Sequence, residues 1–289
     1  MHSKLSVILS ILAVTFLTPF AASAKTAEEA FAMGTQRLSK GDFSGAYEAY
    51  GEAVEIDGSK TEYRQEQAIL HRVMKIREDI KSEKDPEIWE RMAQSLRGYY
   101  YTKEIYEEAL DLDLMVHKKI DSVLSATQLA ETYLQLNKNA DAEKILAGVD
   151  EASALPYGRL LYGIALGRQQ KIELAKKVLE NVEIPEAAAP GMLYQSARLY
   201  ALTGNDSGAA AYLTRTLESI PPSRIETARR QIMACKDFAG LLNNPVFTKA
   251  LETQSKVSES GCSGGTSCGN CPSRQSCGGS QSAPASSSK

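Results

Sequence analysis

The chain has 289 residues, of which 24% are charged and 43% hydrophobic, and a net charge of −3. This composition is ordinary for a soluble protein, and the length allows one or two compact domains or one elongated repeat domain. The small negative charge argues against nucleic acid as the main partner, because holding phosphates requires a basic surface.

Residues 1–24 have the form of a signal peptide. His2 and Lys4 make a short polar start, Leu5 to Leu17 is an apolar run too short to span a bilayer well, and Pro19 breaks it. Ala22-Ser23-Ala24 is a small-x-small cleavage site, and no Cys follows it, so a lipoprotein leader is not expected. The expected mature chain starts at Lys25 with a charge near −4. It is expected to be exported, periplasmic or extracellular, with a bacterial source. No later stretch is apolar enough to cross a membrane, so no integral membrane segment is expected in the mature chain.

Ala27 to Gly58 reads as a helix–turn–helix unit, with a first helix to about Lys40, a turn at Gly41-Asp42 and a second helix from about Phe43 to Asp57. Gly34 and Ala46 stand twelve apart, where two antiparallel helices can approach to about 8–10 Å. Tyr50, one turn after Ala46, can fill the space beside that contact. A single hairpin cannot bury its apolar face alone, so the pattern requires neighbours.

Next, Thr61 to Lys84 places Ile69, Val73, Ile76 and Ile80 on one face of a long helix, and Asp85-Pro86 stops it and starts another. Trp89, Met92, Ala93 and Leu96 begin an irregular unit whose second helix carries Ile105, Ala109, Leu112 and Val116. Regular units return with Ala130 and Ala142, Gly163 and Ala175, and Ala197 and Ala209, each pair twelve apart. The first-helix anchors Gly34, Ala93, Ala130, Gly163 and Ala197 are separated by 59, 37, 33 and 34 residues, which leaves room for one unpaired helix within Thr61 to Lys84. The array is expected over residues 25–220, ended by Pro221-Pro222.

Met33-Gly34 with Ala46 and Tyr50, and their counterparts downstream, resemble the L-G and A-x3-F elements of the tetratricopeptide repeat. Ala30, Arg37 and Gly58 occupy that family's Trp, Tyr and Pro positions. Asp237 to Leu251 is similar to the D-F-x2-L-x3-P-x-F segment that closes many bacterial arrays of this kind. The resemblance implies an all-α, right-handed solenoid of helical hairpins. Its extended concave surface would suit a peptide or a partner helix. Residues 221–253 are read as closing helices, with Phe238, Leu241, Phe247 and Leu251 covering the last apolar face.

From residue 254 to 289 Ser and Gly dominate, and the segment lacks the apolar area to offset its ordering entropy, so a flexible tail is expected except where cysteines tie it. Cys262, Cys268, Cys271 and Cys277 allow a disulfide-tied knot with three possible pairings, a four-thiolate site for zinc or another soft metal, or a redox pair at Cys268 and Cys271. Cys235 reads as a buried small apolar residue. Asn137, Asn139 and Asp141 lack the Gly and Glu of a calcium loop and read as an inter-helix turn. Lys171, Glu173, Lys176 and Lys177 read as a solvated charged face. No nucleophile–base pair, phosphate-cradling glycine loop or paired-carboxylate motif is present. The expectation is therefore an exported scaffold for a protein or peptide partner, not an enzyme and without a resident cofactor. The alternative is a metal- or thiol-handling protein acting through the tail.

Overall fold

The structure is a computed structural model that describes residues 25–150 and 153–258. The expected leader and the four tail cysteines lie outside the described residues. The fold is all-α, with thirteen α-helices, one 3-10 helix and no strand among the described residues. The chain divides into two compact units, Met1–Ile120 and Asp121–Lys289. The first holds α1 (Ala27–Leu38), α2 (Phe43–Ile56), α3 (Thr61–Asp79), α4 (Pro86–Thr102) and α5 (Tyr106–Ile120). The second holds α6 (Val123–Gln135), α7 (Asn139–Ala147), α8 (Pro156–Arg168), α9 (Ile172–Glu180), α10 (Pro190–Leu202), α11 (Asp206–Glu218), α12 (Pro222–Ala234), the 3-10 helix Lys236–Leu241 and α13 (Pro245–Leu251).

Local chemistry sets these boundaries. Thr26 and Glu29 form a capping box at α1, and Asp42, Asp85, Ser122, Asn205 and Asn244 cap the helices that follow them. Each supplies a side-chain acceptor for an orphan N–H of the first turn. Proline opens α4, α8, α10, α12 and α13, where its missing N–H costs nothing.

Five hairpins are built on one turn. A residue in the left-handed region ends the first helix: Gly41, Glu104, Asn137, Gln170 and Gly204, with φ of 77°, 57°, 58°, 62° and 78°. The next residue donates its N–H to a carbonyl five residues back: Asp42 to Arg37, Ile105 to Tyr100, Lys138 to Tyr133, Lys171 to Leu166 and Asn205 to Tyr200, at 2.8–3.0 Å. Four residues later stands a fully buried alanine: Ala46, Ala109, Ala142, Ala175 and Ala209.

This turn corrects the register of the irregular unit. Counting back from Glu104 as Gly34 counts back from Gly41 puts Arg97, not Ala93, at the anchor position, with Ala109 in the place of Ala46. The anchors are then 63, 33, 33 and 34 residues apart. The mistaken register arose because α4, at 17 residues, is longer than α1, at 12. Its real anchor is also not small. Arg97 donates through Nε to the buried Asp113 carboxylate at 3.0 Å, so an ion pair fills the place held elsewhere by a small residue and its large neighbour.

The face expected for α3 is found except at one end: Val73 and Ile80 are buried and Ile76 packs against the same core, while Ile69 is 42% exposed and its neighbour Leu70 is fully buried in its place.

In the first unit the core gathers Leu38, Phe43, Tyr50, Leu70, Trp89 and Leu112. In the second, one cluster surrounds Leu160, Leu161 and Ile164 of α8, and another packs Leu213 and Leu217 of α11 against Phe238 and Phe247 of the closing segment. Among the described residues no helix is long and apolar enough to cross a membrane.

Candidate functional site

The sequence singled out nine contact residues. Gly34, Ala46 and Tyr50 meet directly: a Cβ added to Gly34 would lie 2.6 Å from the Tyr50 ring and 3.2 Å from the Ala46 carbonyl oxygen. Ala130, Ala142 and Ala175 are fully buried in the cluster around α8, and Ala197 and Ala209 in the cluster around α11. Gly163 faces across hairpins as well as within its own. A Cβ there would meet Leu199 of α10 at 2.6 Å and Val178 of α9 at 3.2 Å. These nine positions set helix spacing and carry no chemistry of their own.

The second unit contains a buried polar network that the sequence reading did not find. Asp237, just inside the 3-10 helix, accepts from Arg168 Nε at 2.8 Å and from Arg198 Nε at 2.7 Å. Arg168 also donates to the Leu134 carbonyl at 2.7 Å, and Arg198 to Gln195 at 2.5 Å. Gln195 in turn donates to the Tyr157 hydroxyl, which donates to Glu131 at 2.5 Å. The chain of bonds ties α6, α8 and α10 to the closing segment. Burial pushes the Asp237 carboxyl up, but the Arg198 and Arg168 charges and hydrogen bonds outweigh it and hold the group below the usual carboxylate range. Burial, then the Glu131 carboxylate, pushes the Tyr157 phenol well above its ordinary value, so it stays a donor. Both arginines sit on first helices and Asp237 on the closing segment, 69 residues from Arg168. No periodic signal links residues so far apart.

Tyr157, Leu161, Ile164 and Arg168 share one face of α8. On the face opposite, a groove of about 370 Å³ is open. Its walls are Val123 and Thr127 at the start of α6, the ends of α7 and α9, and Gly158, Arg159 and Tyr162 of α8. The groove follows from helix length. α7 and α9 have nine residues each, against 13 in α11 and 14 in α2. Residues that would form a last turn instead make connections of eight (148–155) and nine (181–189) residues, while three (219–221) follow α11. Gly148 weakens continuation of α7. Pro185 biases Ile184 away from helical backbone, so α9, which ends at Glu180, cannot be extended past Glu183. Gly158 lets α8 approach α6 closely, since a Cβ there would lie 3.0 Å from the Thr127 hydroxyl.

The groove floor is apolar, with Leu146, Leu166 and Val178, and Leu155 and Leu174 add apolar surface that is 41% and 49% exposed. Lys177 belongs to the helix face read from sequence as solvated, and Leu174 lies one residue after its Glu173. Lys171 and Lys176 of that face do have ordinary surface partners, Glu143 and Glu173. Lys177 instead lines the groove. The two helix-ending signals, Gly148 and Pro185, were the available clue in the sequence.

Cys235 caps α12, is half-buried beside Tyr194, and has no disulfide among the described residues. Among the described residues no group of three His, Cys, Asp or Glu could hold a metal ion. No protein-family model matches the chain. No curated protein matches it either. The fold and these sites define an all-α, repeat-like protein of sequentially packed helix pairs.

Proposed function

We propose that the protein is a tetratricopeptide-like interaction scaffold, exported through its leader, whose second unit holds a segment of a protein partner in the groove along α8. The observation that carries this reading is the groove itself, of about 370 Å³, floored by apolar side chains and flanked by half-exposed Leu155 and Leu174. Concave, mostly apolar sites of this size are where proteins take ligands. The tetratricopeptide assignment is supported by turns recurring at 33 or 34 residues after Arg97, each followed by a buried alanine twelve residues from its anchor. The opposite face of α8 is filled by the chain's own closing segment through Asp237, which leaves the groove as the accessible side.

Site-specific photocrosslinking in the source cells tests this. Benzoylphenylalanine at position Leu174 should give a discrete protein adduct, and the same probe at exposed Arg230 on α12 should not. Identical adducts from both positions, or none from Leu174, would contradict the reading.

A second reading rests on Cys262, Cys268, Cys271 and Cys277, four thiols within sixteen residues. That spacing suits zinc or another soft metal, or a disulfide-tied knot. Metal analysis of the purified mature protein with a free-thiol count tests it. One metal per chain supports metal handling, whereas no metal and no free tail thiols assign the cysteines to disulfides.

A further inference from the structure

We infer that the tail and the groove engage the same protein: the closing segment directs Cys268 and Cys271 to the groove's side of the second unit, where they exchange into a mixed disulfide with a disulfide-bearing partner docked there. The inference rests on the scaffold reading above. Beyond the end of α13 the chain runs back along α12 as a strap. Arg229 of α12 donates through Nε to the Leu251 carbonyl at 2.7 Å and through a second nitrogen to the Thr253 carbonyl at 2.9 Å. Lys256 then donates its backbone N–H to the Glu218 carbonyl at 2.9 Å, and its ammonium lies 2.7 Å from the Glu218 carboxylate. The bond to Leu251 closes the end of α13, whereas the others lie past it and fix where the tail departs.

That point adjoins the groove. Glu218 ends α11, and Arg215, one turn earlier, donates to the carbonyls of Pro185 and Glu186 at 3.1 and 2.9 Å. Both belong to the connection 181–189, whose first residue, Asn181, lines the groove. The path from Lys256 to Asn181 is therefore one helical turn, one arginine side chain and four residues of connection, about 35 Å at most. Cys268 and Cys271 stand 12 and 15 residues after Lys256, enough chain to reach about 43 and 54 Å. Glu218 lies just before α12 begins and Cys235 caps its far end, so the strap leads away from that thiol.

Cys268 and Cys271 have the C-x2-C spacing of exchanging thiols. The thiolate of one attacks a sulfur of the partner's disulfide. A new S–S bond joins tail and partner, the partner's own bond breaks, and its second sulfur leaves as a thiolate that takes up the proton lost by the tail thiol. The other tail cysteine then attacks the mixed bond, which closes the tail disulfide and frees the partner as a dithiol, with no outside oxidant or reductant. Docking in the groove makes the first attack intramolecular, at an effective concentration set by the short path.

The test uses the full mature chain in the source cells, with free thiols blocked by N-ethylmaleimide at lysis. Cys268→Ser or Cys271→Ser removes the releasing thiol, and one of the two should accumulate a dithiothreitol-sensitive complex containing the protein photocrosslinked from position Leu174. Adding Arg229→Ala and Lys256→Glu frees the strap and should lower the yield of that complex at least about fivefold while the Leu174 photo-adduct persists. Thermal melts check that this variant folds, and Lys256→Glu alone, at a side chain 72% exposed, replaces it if it does not. A complex with a different protein, a yield that the strap variants leave unchanged, or a tail cysteine mapped in a disulfide with Cys235 would overturn the inference. A Leu174 photo-adduct without any such complex ends the inference and keeps the scaffold reading, and the absence of that adduct ends both.

Discussion

Two faces of α8 have opposite fates. One carries Tyr157 and Arg168 into a closed network ending on Asp237, and the chain's own closing segment covers it. The other carries Gly158, Arg159 and Tyr162 and is left open because α7 and α9 stop a turn short. The same helix is thus sealed on one side by charge and left open on the other by helix length. The anchor residues do not make this difference. Hairpin α10–α11 has the same small-residue spacing as α8–α9, Ala197 with Ala209 against Gly163 with Ala175, yet its second helix runs to 13 residues. Spacing builds the hairpins, and where the second helix ends decides what remains exposed between them.

The sealed face is where substitution should cost most. Asp237→Ala leaves two buried arginines without their carboxylate and should destabilise the second unit by about 3–5 kcal/mol, read by urea unfolding. A change under about 1 kcal/mol would mean that the network does not hold the closing segment.

Acid should act on the same face. The Asp237 carboxyl titrates lower folded than unfolded, so the unfolded chain takes up its proton first. The stability this group contributes is complete above its unfolded value of about 3.9 and is lost as pH falls through the lower folded value. Unfolding between about pH 5 and pH 2 should therefore be steeper in the parent than in Asp237→Asn. Equal slopes would remove Asp237 as the titrating group.

The hairpin contact beneath both faces is next in size. Ala175 is fully buried, and Ala175→Leu should overpack the cluster around α8 at a cost of about 1–3 kcal/mol. Thermal melts identical to the parent would show that α9 does not lie against the core at that residue.

The hairpins were legible because their determinants are local. A residue that ends the first helix, a cap or turn at a fixed distance and an alanine twelve residues from the anchor all fall within one window, as at Gly34, Gly41 and Ala46. Where a pair of charged side chains replaced the small anchor, as with Arg97 and Asp113, the alanine at Ala93 drew the register four residues off. In α3 the stripe through Val73, Ile76 and Ile80 was legible, and only its first member was not, because Ile69 and Leu70 are adjacent apolar residues and either could begin it. The Asp237 network was out of reach because its members come from four elements and share no period. The groove was half legible. Gly148 and Pro185 are plain helix-stop signals, but their meaning lies in the length of α7 and α9 relative to α11, which only packing reveals.

Smallest in stability and most direct for function is the open face. Leu174 is half-exposed, so Leu174→Asp should change stability by no more than about 0.5 kcal/mol. The decisive measurement is the photocrosslink from the other apolar wall of the groove, with benzoylphenylalanine at position Leu155, made in this variant and in the parent. An open docking groove predicts an adduct yield at least about tenfold lower in the variant, because the substitution removes apolar contact and places a charge on the apolar rim. An unchanged adduct at an unchanged melting temperature would contradict the assignment of this face of α8 as the binding surface.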